Sequence, residues 1–319
     1  MNIAFFGSSH FAAASLEALI KGKHKIVCVV TQPDSKKGRG LHMASTAIKD
    51  IAAKQGLELY QPESINSADS ESFLKQLGPD LFIVIAYGQI LSKAVLEIPS
   101  LFTVNVHASL LPLYRGAAPV NWSIIRGEKK TGVSVLKMEE KMDAGPLILQ
   151  KIAGITEDDT AISLEEKLSK LAAQSLSECL SLIESNSIEF IQQDENSVSF
   201  APRLKKKDGL ISWDKPAETI YNLVRGCYGW PGAFSFYKGK LLKVHRAKAY
   251  PLSFRAQPSV SAGEIIRIDK EGILVASKDS ALLIEELQEE GKRRMIASEF
   301  IAGHRISVGE KFTGSRFKK

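Results

Sequence analysis

"LFIVIAYG" (81–88) decides the fold class of this 319-residue chain. Its first six residues are all apolar. A strand needs such an unbroken run only when both of its faces are buried. The run is also far too short to cross a membrane. Working outward, "NIAFFG" (2–7), "KIVCVVTQ" (25–32), "FTVNVH" (102–107) and "GVSVLKM" (132–138) read the same way. Helical spacing separates the early strands, in "FAAASLEALI" (11–20) and "TAIKDIAAKQG" (46–56). Strands alternating with helices predict an α/β unit built on a doubly wound, mostly parallel sheet.

Beyond this unit the pattern changes. Leu164, Leu168, Leu171, Leu176, Cys179 and Ile183 form the apolar stripe of a long helix. Ser163 with Glu166 reads as a capping box that starts it. Residues 189–209 carry "DENS" and "RLKKKDG" with little periodicity and read as a linker. A helix is expected near 216–226. "AFSFYKGKLLKVHRAKAY" (233–250) and "GEIIRIDKEGILVAS" (263–277) alternate around Gly-containing turns, as hairpins of a small antiparallel barrel do. The expected division is therefore 1–188, a linker at 189–209, and 210–319.

Hydrophobic residues make up 44% and charged residues 24%, which describes a globular chain. Three separated cysteines, Cys28, Cys179 and Cys227, suit a reducing compartment and suggest neither a disulfide framework nor a structural zinc site. A strand beginning near Met1 carries the expectation of no leader segment and a cytoplasmic protein. The net charge of +6 is uneven: residues 1–199 hold 19 basic and 23 acidic side chains, residues 200–319 hold 23 and 13. A basic second part suits a polyanionic partner, although a surface tuned for solubility has the same composition.

"TVNVHASLLPLYRG" (103–116) is where chemistry enters. Alternation puts Asn105 and His107 on one face of a strand end, with Val104 and Val106 on the other. Ligands of open α/β sheets bind beyond the carboxyl ends of strands. An amide and an imidazole there could polarise a carbonyl and hold its oxyanion. They could equally satisfy loose backbone groups. Asp143, in "EKMDAGPLILQ" (140–150), is either an ordinary turn aspartate or an acid able to orient His107 and accept a proton. "GSSHF" (7–11) lacks the G-x-G-x-x-G fingerprint of a dinucleotide site. "PDSKKGRGLHM" (33–43) is a basic, Gly-rich loop whose Lys36, Lys37 and Arg39 are either solvated or in contact with phosphate.

"NVHASLLPLYRGAAPVNW" followed by "TGVSVLKMEEKMDAGPLI" resembles the core of the folate-dependent formyltransferases. With "IAFFGSSHFAAASLEAL", "TQPDSKKGRG", "VIAYGQILSKAVLEIPS" and "RGCYGWPGAF" (225–234), the similarity spans nearly the whole chain and leans to the branch acting on methionyl-tRNA. The resemblance implies a Rossmann-like catalytic domain followed by a C-terminal β-barrel resembling an OB-fold that docks on tRNA. It implies Asn105, His107 and Asp143 as the catalytic trio. It implies a folate site at Ala86, Tyr87, Gly88 and Ile90 and at Ser109, Leu110, Leu111 and Pro112, and tRNA contacts at Lys36, Lys37 and above all Arg39. The implied donor is 10-formyltetrahydrofolate, used as a substrate, with no permanently bound cofactor and no metal. The implied acceptor is initiator methionyl-tRNA, and a monomer without membrane contact is expected. Ala108 departs from the glycine common there; both are small. The rivals are a formyltransferase for another amine, such as an amino sugar nucleotide or glycinamide ribonucleotide, a nucleotide-dependent oxidoreductase, and an RNA-binding protein with an inactive α/β domain.

Overall fold

The computed structural model describes residues 1–37, 42–251 and 260–315. It divides into two compact units, Met1–Pro119 with Lys130–Gly154 and Leu164–Pro202, and Val120–Lys129 with Ile155–Ser163 and Arg203–Lys319.

The first unit is built on β1 (Asn2–Gly7), β2 (Lys25–Val30), β5 (Leu59–Tyr60), β6 (Leu81–Ile85), β7 (Phe102–His107), β8 (Lys130–Lys137) and β9 (Leu147–Gly154), in the order β5-β2-β1-β6-β7-β8-β9. Pairing is parallel as far as β7; β8 and β9 add antiparallel. Neither face of β1 meets solvent, since Ile3, Ala4, Phe5 and Phe6 are all buried. The apolar runs therefore do mark two-sided strands. The order turns beside β1, and in such sheets that reversal opens a crevice at the carboxyl ends.

Helices α1 (Ala13–Ile20), α2 (Ala47–Lys54), α3 (Ala68–Gln76) and α4 (Lys93–Leu96) link the parallel strands. Thr46, Ser67 and Ser92 cap the last three by accepting from Lys49, Ser70 and Val95 backbone N–H groups. These caps satisfy donors that a helix start otherwise leaves bare. The basic stretch is more than a loop: β3 (Ser35–Lys37) and β4 (His42–Ala44) form an antiparallel ribbon with Lys36 opposite Met43. Arg39 lies outside the described residues.

The second unit contains α5 (Pro119–Ile125) from residue 120 on, α7 (Ala217–Gly226), α8 (Ala297–Gly303) and an antiparallel sheet. Its strands are β10 (Ala233–Tyr237), β11 (Lys240–Tyr250), β12 (Ile265–Asp269), β13 (Gly272–Ala276), β14 (Ala281–Glu289), β15 (Met295–Ile296) and β16 (Phe312–Thr313). The order is β12-β13-β14-β11-β10-β16, with β15 on β14. The two ends are stitched together, because Ile265 N–H donates to Glu310 O and Phe312 N–H to Gly263 O, both at 2.8 Å. The sheet is thus a small barrel. Val244, Ile265, Ile273, Val275, Leu282 and Ile284 are among its buried filling. The hairpin turn at Lys238 and Gly239 has φ of 48° and 76°, the positive pair that matches strand twist.

Helix α6 (Ala161–Glu184) starts before Ser163. Ser163 N–H donates to Thr160 Oγ1 at 3.3 Å, and Thr160 N–H donates to Ser163 Oγ at 2.9 Å. The reciprocal cap is real, but Thr160 leads it and Ser163 answers from the third position.

Candidate active site

Strand β7 positions the first two side chains. Val104 and Val106 are buried on one face, while Asn105 and His107 share the other. Asp143 comes from the loop between β8 and β9, which turns back across the face carrying Asn105. Asn105 Nδ2 donates to Asp143 Oδ1 at 3.1 Å. Gly116 N–H donates to Asp143 Oδ2 at 2.8 Å. The same Oδ2 lies 3.6 Å from His107 Nδ1.

The tautomer follows from the other ring nitrogen. His107 Nε2 is 2.9 Å from Tyr114 O. A carbonyl can only accept, so Nε2 carries the hydrogen. In the neutral ring Nδ1 is then a bare lone pair beside Asp143. A proton arriving there makes a cation within ion-pair reach of the carboxylate. The three residues singled out by sequence are therefore brought together. His107 is 7% exposed and the Asp143 side chain 10%, so little water competes for them.

The other expected site residues divide by exposure. Val84 pairs with Asn105, so Ala86 leaves β6 level with His107. Ala86 and Gly88 are exposed, with φ of 46° and 96°, and Ile90 is exposed too. Tyr87 is different: its ring is buried in the core against Phe6, and its carbonyl accepts from Ser8 Oγ. Ser109 and Leu111 also face inward. Ser109 Oγ donates to Leu113 O at 2.6 Å, and Leu111 clusters with Leu136 and Leu147. Leu110 and Pro112 remain partly exposed, and the Leu111–Pro112 peptide is cis. Lys36 and Lys37 sit on β3.

Two residues that the sequence reading passed over complete the surroundings. Arg115 is 2% exposed, and Gln193, in the stretch read as linker, is 9% exposed. Gln193 Nε2 donates to Asp143 O at 2.8 Å and to Gly145 O at 2.7 Å. No thiol competes for a nucleophilic role: burial pushes Cys28, Cys179 and Cys227 up to about 12. Among the described residues no group of His, Cys, Asp and Glu is arranged to hold a metal.

Known proteins match this chain along most of its length. Residues 1–180 match the formyl transferase family and residues 203–305 the formyl transferase C-terminal domain. The chain is 41% identical over 309 residues to the methionyl-tRNA formyltransferase of Geotalea uraniireducens, covering 97% of each chain. It is 43% identical over 309 residues to that of Citrifermentans bemidjiense, covering 97% of this chain and 95% of the relative. The chain belongs to the methionyl-tRNA formyltransferase family. Solved structures agree on the fold of this family. An N-formyltransferase from Helicobacter canadensis, in complex with folinic acid and dTDP-3-aminofucose, superposes with a TM-score of 0.68 at 19% identity, covering 91% of this chain and 99% of that one. HypX from Aquifex aeolicus, in complex with tetrahydrofolic acid, superposes at 0.65 with 18% identity, covering 98% of this chain and 48% of that one. At these identities the likeness is one of fold.

Proposed function

We propose that this chain transfers the formyl group of 10-formyltetrahydrofolate to the α-amine of methionyl initiator tRNA. The observation that carries the reading is the convergence of Asn105, His107 and Asp143 at one strand end, in a chain whose relatives bear that name. The amine has an ordinary pKa of roughly 8, so its free-base form is available near neutrality. Its nitrogen lone pair attacks the formyl carbon, and the carbonyl oxygen becomes an oxyanion. Asn105 Nδ2 has a second N–H beyond the one given to Asp143, and that N–H meets the oxyanion. The proton released by the amine passes to the His107 Nδ1–Asp143 pair. Collapse of the intermediate breaks the bond from carbon to N10, and the pair returns a proton to N10. Atoms and charges balance without metal or covalent enzyme intermediate.

The exposed backbone at Ala86 and Gly88, with Ile90, Leu110 and Pro112, supports a folate site on this rim. Tyr87, Ser109 and Leu111 contribute to it through their backbone or by supporting its walls. Lys36, Lys37 and Arg39 are the proposed contacts to the tRNA acceptor end, and the basic second unit is the proposed docking surface. The same reading has the protein acting as a monomer in the cytoplasm. Among the described residues no helix is long and apolar enough to cross a membrane.

One assay decides the acceptor. The protein is incubated with 10-formyltetrahydrofolate and either methionyl-tRNA, an amino sugar nucleotide or glycinamide ribonucleotide, and the formylated product is identified. Formylation of a small amine without formylation of methionyl-tRNA would replace this reading. Arg39→Ala is expected to weaken action on methionyl-tRNA and leave folate binding intact; equal loss of both would remove Arg39 from the tRNA contacts.

A further inference from the structure

Asp143 holds a backbone conformation that only glycine adopts freely, with φ of +52°. Such a residue persists where its surroundings hold it, at a cost of about 1–3 kcal/mol. What holds it is a side chain fifty residues away. Gln193 is fully used: Oε1 accepts from Arg115 Nε at 3.1 Å and from Arg115 Nη2 at 2.8 Å, while Nε2 donates to the Asp143 and Gly145 carbonyls. The guanidinium can only donate and the two carbonyls can only accept, so one amide orientation alone fits. We infer that Arg115 and Gln193 form a positioning clamp that sets the Asp143 carboxylate against His107.

The clamp has a second arm. Arg115 N–H donates to Ser199 O and its carbonyl accepts from Ala201 N–H, at 2.9 and 2.8 Å. These bonds fix the backbone whose next amide, Gly116 N–H, reaches Asp143 Oδ2. A Cβ on Gly116 would stand 2.8 Å from Ala201 O, so the approach is as close as it can be. One arginine therefore governs Asp143 twice, through its guanidinium at the main chain and through its backbone at the carboxylate. Arg115 Nη2 also donates to Glu195 Oε1 at 2.7 Å, which orients the guanidinium plane. Arg115 Nη1 has no acceptor among the described residues. Burying an incompletely paired guanidinium is a poor way to gain stability, whereas it is a good way to fix a geometry.

The clamp rests on the role given to Asp143, and its test keeps the two apart. Gln193→Glu retains an acceptor for Arg115, now as an ion pair, but sets a carboxylate against two carbonyl oxygens. Turnover of methionyl-tRNA is expected to fall ~10-fold or more, as small misplacements of reacting groups do. KM for both substrates stays within about twofold, and the thermal midpoint falls by no more than the loss of two buried hydrogen bonds explains. In an Asp143→Asn background the same substitution is expected to lower turnover by less than about twofold, because residues acting as a unit are not additive. Gln193→Asn keeps the amide but falls one methylene short, and carries the same expectation should the first variant fold poorly. Wild-type turnover in either variant, or an equal fold-loss in both backgrounds, would overturn the clamp. Near-normal turnover of Asp143→Asn alone would take down the catalytic reading and the clamp with it.

Discussion

Among the described residues each unit buries one arginine, and the two differ in where their hydrogen bonds end. In the second unit Arg225, 7% exposed, donates from Nη1 to Thr156 O and Asp159 O at 2.9 and 2.8 Å. Its Nη2 donates to Asn222 Oδ1 at 2.6 Å, and its guanidinium lies over the Tyr221 ring at 4.8 Å. Every acceptor there is a carbonyl or amide with no chemistry of its own. In the first unit the bonds of Arg115 run through Gln193 to the loop of Asp143. Similar burial of the same residue type thus serves a local tie in one region and, on the proposed reading, the placement of a reactive group in the other. The first should register in stability, the second in rate.

That contrast can be broken from either side. Asp143→Asn should lower turnover by ~10²-fold or more, the usual loss of positioned acid–base help, while the unfolding midpoint stays near that of the wild type. A variant that unfolds more readily yet turns over normally would make the Asp143 loop as purely structural as the Arg225 region. Arg225→Ala removes three buried hydrogen bonds, at about 1 kcal/mol each, so chemical denaturation should report a loss of about 3 kcal/mol. Turnover of the folded variant at 25 °C should change little, and a large fall there would erase the distinction. Gly116→Ala combines a φ of +120° with the close Ala201 carbonyl, and about 2 kcal/mol of stability should go. Here turnover should fall as well, because the amide that meets Asp143 is displaced.

The smallest effect concerns Glu195. The hydrogen bond from Arg115 first, and that from Lys141 second, pull its carboxyl from 4.5 down to about 2. A depressed carboxyl stabilises above its unfolded pKa and loses that stabilisation as pH falls through the folded one. Comparing urea midpoints of the wild type and Glu195→Gln, the wild type should lead slightly at pH 6, and its lead should fade between about pH 4.5 and 2. The side chain is 56% exposed, so solvent screens most of the interaction. A lead that grows in acid would deny the contact.

The parallel core was legible because burial on both faces leaves runs such as those at 2–7 and 81–85 without polar interruption. Alternation was enough to pair Asn105 with His107. Nothing local marked Asp143 as more than a turn residue, since its positive φ is imposed from a distance. Strand β9, at the sheet edge, buries only alternate residues over most of its length and so carries a weaker signal than the two-sided runs. Gln193 was invisible for a plainer reason. A polar side chain in an aperiodic stretch looks solvated unless its partners, 50 and 78 residues earlier, are known. The cap that starts α6 lies three residues before Ser163; Thr160 and Ser163 both suit a cap, and only the reciprocal bonds tell them apart.

The dependence of Asp143 on Gln193 and Ala201 also sets a timetable. The strand that bears His107 is made about 90 residues before Ala201. At roughly 5–20 residues per second, a nascent chain carries Asn105, His107 and eventually Asp143 for several seconds before the segment that clamps them exists. A chain stopped at residue 180, where the match to the first family domain ends, would contain all three catalytic candidates and still lack what aims them. Competence in this protein is acquired late in synthesis, by a stretch that does no chemistry.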